Sequence, residues 1–226
     1  MASYESLLPE IIPMVSSCPD TLIENSIRSA TIELCEKAKV YQVELDPITA
    51  IANLFEYDLE PPSGTVVHEI LWATYDGKDL EPITSALLEQ RLPQWRQSGN
   101  QSTPEYFVKQ SQSLFYLAPV PNETKPAAVL VRAIVKPTHT STSCSNDVMN
   151  DYRDTIINGA LLRLLRLPGR EFTDYAAAGV YSALFNEGIV EAEKRGRQTE
   201  TRVTRKVAYG GLGKNYRLTR TKYSRG

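Results

Sequence analysis

The chain has only two histidines, three cysteines and two tryptophans among its 226 residues. Each scarcity removes a class of function. His68 falls in a β-branched stretch and His139 in a Thr-rich one, and neither stands at metal-ligand spacing from another donor, so no zinc site is expected. Cys18, Cys35 and Cys144 are odd in number and far apart in sequence, which fits reduced, buried thiols better than a disulfide framework or a metal cluster. No apolar run reaches the roughly 18 residues of a membrane span, and the start of the chain does not read as a secretion signal. A G-x-S-x-G elbow, a phosphate-cradling loop and a G-x-G-x-x-G fingerprint are all missing; the nearest match, Gly210 to Gly213, precedes no predicted helix. Nucleotide binding therefore has no support, and no catalytic residue, cofactor or metal is assigned. Paired acids of the glycosidase kind stay open, because 27 Asp and Glu allow many pairings and only geometry selects one. His68 and Glu69, adjacent in a predicted strand, are expected on opposite faces and so unable to converge on a substrate.

What the chain does contain is a globular mix, 42% hydrophobic and 23% charged, enough for a sizeable core in one large domain or two small ones. Its net charge of -2 hides a division. From Lys194 to Gly226 there are 11 Lys or Arg against the single acid Glu200, whereas the preceding 193 residues hold 14 basic and 26 acidic side chains. An acidic body with a basic terminal arm marks a tail that binds something.

Hydrophobic spacing organises the rest. Ile23, Ile27, Ala30 and Leu34 predict an amphipathic helix over Asp20 to Ala38, after a shorter helical stretch near Tyr4 to Met14; Cys18-Pro19-Asp20 supplies a stop and a cap. From Val40 the period becomes two, with Tyr41, Val43 and Leu45 and then Phe55, Tyr57 and Leu59 on predicted strands. Thr65 to Tyr75 is β-branched and aromatic and ends at Asp76-Gly77, a pair that favours positive φ and predicts a tight hairpin into Lys78 to Leu80. Further strands are predicted at Tyr106 to Leu117, with a turn inside, and at Ala127 to Val135, on either side of a proline-rich stretch. Ile83 to Trp95 stays unassigned between a short helix and a loop, and Arg96 to Thr103 reads as a mobile loop.

After Thr138 to Ser145, Asn146 or Asp147 can cap a helix bearing Val148, Tyr152, Ile156, Ala160 and Leu164. It stops at Leu167-Pro168-Gly169, and a second helix from about Asp174 is expected to bury Ala177, Tyr181, Leu184, Phe185, Gly188 and Ala192. Gly159 and Ala160, facing Ala176 to Gly179, would let the two backbones approach near the turn. The expected class is α+β: an antiparallel helical bundle built from residues 1–39 and 138–197, an inserted antiparallel β-rich region at 40–137, and an extended arm at 198–226.

Beyond Gly196 no apolar face is sustained, and Gly210, Gly211 and Gly213 would interrupt a helix, so the arm reads as extended and, alone, disordered. In it Arg202, Arg205, Lys206, Lys214, Arg217, Arg220 and Lys222 interleave with Tyr209, Tyr216 and Tyr223. A merely solvating tail does not need such regular Tyr, Val and Leu, so these residues form the candidate partner-binding site. Thr201 to Val207 and Tyr216 to Thr221 could add as strands to a partner's sheet edge. Basic side chains with tyrosines also suit nucleic acid, through phosphate contacts and base stacking.

The segment CPDTLIENSIRSATIELCEKAKVYQ at 18–42, and NDVMNDYRDTIINGALLRLLRLPGREFTDYAAAGVYSALFNEGIVEAEKRGR at 146–197 with its GALLRLL and LPGREF turn, resemble the head-to-tail adaptor (head-completion, connector) proteins of short-tailed bacteriophages. The likeness covers most of residues 3–197. It implies a structural, non-enzymatic component of the virion at the head–tail junction, assembled in the host cytoplasm. It further implies a homo-oligomeric ring, twelve copies beneath the portal, that contacts tail nozzle, tube or fibre proteins. Viral DNA would pass through the ring without sequence-specific binding, and the arm would dock on the portal; no cofactor, metal or membrane is implied. An acidic body would let DNA slide past while a basic arm seeks an acidic groove. Leu162, off the main stripe of its helix, is an expected contact between subunits. The alternatives are a nucleic-acid-binding protein acting through the arm and a cell-wall glycosidase using two acids.

Overall fold

The computed structural model describes residues 1–97 and 99–200, the last four by their backbone alone. Strand β1 (Ala2–Ser3) leads through a 3-10 turn (Tyr4–Leu7), helix α1 (Leu8–Ile11) and a second 3-10 turn (Ile12–Met14) to the long helix α2 (Asp20–Ala38). Strands β2 (Gln42–Glu44), β3 (Ile48–Ala50), β4 (Glu56–Asp58), β5 (Thr65–Tyr75), β6 (Lys78–Asp79) and β7 (Glu81–Pro82) follow, then helix α3 (Ser85–Arg91). Next come β8 (Tyr106–Lys109), β9 (Leu114–Ala118), β10 (Lys125–Pro137) and β11 (Ser143–Cys144), and finally helices α4 (Asn146–Asp151), α5 (Arg153–Leu165) and α6 (Tyr175–Glu200). The class is α+β, with mostly antiparallel sheets.

Helix α2 buries the stripe its spacing predicts, Ile23, Ile27, Ala30 and Leu34. Its start is set by backbone rather than by a side-chain cap: Pro19 is extended, and its carbonyl accepts from Leu22 at 2.9 Å and Ile23 at 3.2 Å. Asp20 in the first turn complements the positive end of the helix dipole. The single helix expected from residue 146 is broken at Tyr152, which leaves helical geometry (φ -119, ψ 24), and Ser145 rather than Asn146 or Asp147 occupies the cap position. Asp174 does cap α6, its Oδ1 accepting from Ala176 at 2.9 Å and Ala177 at 3.0 Å. That helix continues to Glu200, four residues beyond Gly196, because Glu, Lys, Arg and Gln sustain a helix without an apolar face.

One apolar core joins residues from Tyr4 to Ala192 across α1, α2, α4, α5 and α6. Helices α2, α5 and α6 meet at Gly159, where a Cβ would stand 2.6 Å from the Phe185 ring and 2.9 Å from the Ala30 Cβ, and α5 and α6 are as tight at Gly188, where a Cβ would stand 2.7 Å from the Thr155 methyl. In the segment Ala176 to Gly179, Ala178 is buried and Ala177 packs against the helical core, whereas a Cβ at Gly179 would meet nothing within 4 Å. Two side chains trade places with expectation: Leu162 is buried, only 9% exposed, and Leu184 faces outward. Leu162 lies in a helix enclosed by α2, α6 and the N-terminal segment. The apolar residues of α6 split between two sides.

A second core lies between two sheets, ordered β2-β10-β5-β6, with β3 also on β10, and β4-β9-β8-β7. The hairpin at Asp76-Gly77 forms as its sequence dictates, with φ 51 and 75. Strands β5 and β10 pair along nearly their full length, but register shifts leave Leu71 and His68 without cross-strand partners. These bulges stretch the alternation, so that Val67, Ile70 and Ala73 all face the core. A smaller cluster beyond the second sheet packs Leu88 and Trp95 against Val108, with Arg96 4.9 Å over the Trp95 ring. Tyr41 packs against both large cores.

Candidate functional site

The ten arm residues singled out by sequence, Arg202, Arg205, Lys206, Tyr209, Lys214, Tyr216, Arg217, Arg220, Lys222 and Tyr223, lie outside the described residues. What is described is the platform from which the arm departs: α6 and the helices it rests on. Arg163 fastens that platform. Its guanidinium lies 5.5 Å over the Phe185 ring, donates to the Gly159 carbonyl at 2.7 Å, and forms an ion pair with Glu33 of α2. Burial raises the Glu33 carboxyl, but the hydrogen bond from Lys37 and the charge of Arg163 outweigh it and hold the group below its ordinary value.

Other ion pairs bind distant parts of the chain. Arg153 pairs with Glu10 and donates to the Ser6 carbonyl at 3.0 Å, joining the N-terminal segment to α5. Arg28 donates to the Ser141 carbonyl at 2.6 Å. Lys136 with Glu36 and Lys39 with Glu69 link the large sheet to α2. Seven of the body's fourteen basic side chains pair with acids, Lys37, Arg91 and Lys125 beside the four already named. By contrast Glu44, Asp46, Glu56, Asp58 and Glu60 are exposed acids, and no salt bridge engages them. On β4 this follows from alternation: Glu56 and Asp58 point out while Tyr57 is buried, its hydroxyl donating to the Leu54 carbonyl at 2.9 Å.

The candidate reactive side chains of the described residues are engaged elsewhere. His68 sits at a β5 bulge, and the expectation that it and Glu69 face opposite ways fails there: with Val67 and Ile70 both in the core, the two residues between them are both left off it. Burial, then the charge of Lys136, pushes the His68 imidazole down. Its neighbours are already engaged, Glu36 by Lys136, Glu69 by Lys39, and Lys109 by the His68 carbonyl. A recess of about 350 Å³ beside α5 and α6 brings Asp151, Asp154 and Glu191 together, but Arg153 and Arg195 line it too, and Arg195 pairs with Glu191. Among the described residues no three His, Cys, Asp or Glu stand where they could hold a metal ion. The three cysteines are free and buried, and Cys35 meets Cys144 despite their separation in sequence; that contact and burial keep the Cys35 thiol protonated. No described helix is long and apolar enough to cross a membrane.

Sequence reasoning missed one surface. Tyr175, Val180, Leu184 and Val190 on α6 are 63, 60, 42 and 48% exposed. The signal was available, since apolar residues recur on two sides of α6, but the reading followed one stripe only.

The family model of the SU10 adaptor protein matches residues 4–208, and the chain belongs to that family of bacteriophage adaptors, structural components of the virion. The match runs past the described residues and takes in Arg202, Arg205 and Lys206. Adaptors of this kind are generally non-enzymatic and interact with other virion proteins. No curated protein matches the chain.

Proposed function

We propose that the chain joins the portal of a short-tailed phage to its tail, as a ring of twelve copies with the DNA channel passing through it. Residues 1–39 and 138–197 act in this reading as one helical bundle that builds the ring. Residues 40–137 form an insert turned towards tail nozzle, tube or fibre proteins, and residues 198–226 are the arm that docks on the portal through Arg202, Arg205, Lys206, Lys214, Arg217, Arg220 and Lys222 with Tyr209, Tyr216 and Tyr223.

The observation that carries this reading is the division of charge. The body holds 26 acids against 14 bases, so acids remain in excess after pairs such as Arg163–Glu33 and Arg153–Glu10 are made, while the arm concentrates positive charge beyond α6. A negative surface repels phosphates and lets a genome slide; a positive arm finds an acidic groove. Limited proteolysis tests the assignment: the arm is cut in the free protein and protected once copies are assembled on the portal, because it orders on binding. Equal cleavage in both states contradicts it. Tight DNA binding by the full chain that weakens steeply with salt would favour the nucleic-acid alternative instead.

A further inference from the structure

The two sheets of the β-rich part are joined along one side and open along the other. On the joined side β6 runs through Leu80 directly into β7, so one run of chain edges both sheets. Pro82 there has no N–H to offer a further strand, and Glu81 is paired with Arg91. On the open side β4 is the last strand of its sheet. Two bonds fix its phase on β9: Leu117 N–H donates to the Phe55 carbonyl at 2.9 Å, and Leu59 N–H to the Ser113 carbonyl at 2.7 Å. Alternation in an antiparallel pair then turns the Tyr57 backbone towards β9, and the N–H and C=O of Glu56 and Asp58 away from it. Both residues are exposed, and among the described residues no strand pairs with this outer edge.

Charge says what kind of strand this edge accepts. Between Val40 and Gly77 the chain has seven acids and no Lys or Arg, and only Glu69 and Asp76 of the seven are paired, with Lys39 and Lys125. Arg96, beyond the same sheet, is stacked over the Phe55, Trp95 and Tyr116 rings and forms no salt bridge with Glu56 or Asp58. The turn entering β4 exposes Ile51 and Leu54 and is held to the strand by Tyr57, whose hydroxyl accepts from Ile51 N–H at 3.1 Å and donates to the Leu54 carbonyl at 2.9 Å. We propose that the open edge of β4 takes an added strand from a tail protein, with basic side chains opposite Glu56 and Asp58 and apolar ones towards Ile51 and Leu54. The proposal rests on the reading that residues 40–137 face the tail, and it names the surface and the chemistry of the partner. Main-chain bonds to Glu56 and Asp58 supply affinity, and basic residues two apart reach both carboxylates on one face. A second copy of β4 does not suit the edge, because its own acids would oppose these two.

The test uses full-length protein and, as probe, a blocked peptide in which lysine alternates with valine, with the protein's amide resonances followed by NMR. The peptide binds and slows exchange of the Glu56 and Asp58 N–H groups. The same peptide N-methylated at alternate residues keeps its charge but binds roughly ten-fold more weakly, as expected for two lost hydrogen bonds. Equal binding by the two peptides would reduce the contact to charge attraction and overturn the added strand. Protection of the same two amides without peptide, lost in a chain ending at Glu200, would give the edge to the chain's own arm and overturn the tail-protein occupant. On cognate portal rings, protein carrying Glu56→Lys and Asp58→Lys still decorates the portal but no longer takes up the cognate tail proteins. If it takes them up as the unaltered protein does, the strand proposal falls while the tail-facing reading stands. If the unaltered protein takes up none, both fall.

Discussion

The two large cores of this chain are closed in opposite ways. The core between the sheets is made by residues 45 to 135, mostly from neighbouring strands, and its apolar side chains are turned inward behind a rim that includes the exposed acids Glu56 and Asp58. The helical core gathers segments from both ends of the described chain, Tyr4 through Ala192, and needs long-range fasteners such as Arg153–Glu10 and the Tyr4 hydroxyl on Ser141 Oγ at 3.3 Å. It also leaves an apolar helix face outside. The β-rich part likewise leaves Ile51, Leu54 and Leu87 exposed, so the two parts differ in how their cores are fastened rather than in whether apolar side chains face outward.

The comparison breaks first if the two cores do not melt separately. Both tryptophans, Trp72 and Trp95, lie in the β-rich part, so fluorescence reports the sheets while far-ultraviolet circular dichroism reports mainly the helices. Phe185→Ala, losing a fully buried ring, should cost about 3–5 kcal/mol and shift the helical transition ahead of the fluorescence transition in denaturant. Phe115→Ala should cost a similar ~3–5 kcal/mol in the reverse order. Coincident transitions in both variants would show one cooperative unit. Gly159→Ala should cost about 1–3 kcal/mol, again in the helical signal, because the new Cβ falls on Phe185 and Ala30.

A smaller effect separates the clamps from the cores. The Glu33 carboxyl is held below its ordinary value of 4.5, so its clamp contributes fully above that pH and is lost as pH falls through the lowered folded value. The stability gap between the protein and Glu33→Gln should therefore narrow on acidification in that window; a constant gap would mean that Glu33 acts through packing alone. Smallest of all, Val180→Thr should change folding stability by less than about 0.5 kcal/mol, since the side chain is exposed in the single subunit.

Much of this fold was readable because local chemistry and tertiary structure agree. Thr65–Tyr75 appears as a strand with the residues its β-branched run marks out, and Asp76-Gly77 turns it back. Helix α2 buries the side chains its spacing selects. The failures have physical causes. The bulges at His68 and Leu71 are set by pairing with β10, which no local period reveals. The break at Tyr152 introduces a helix boundary that residues 146–164 do not signal. Strands β1 and β11 have two residues each, too few for any pattern. On α6 the outward stripe was overlooked because Leu184 fits the edge of the buried one. The arm is described by its composition alone.

One binding experiment decides whether the basic arm holds this adaptor to the portal. Purified full-length chain and a chain ending at Glu200, where α6 ends, are each mixed with isolated cognate portal rings and viewed by electron microscopy. The account predicts that the full chain decorates the rings and the shortened chain does not; equal decoration by both would contradict it.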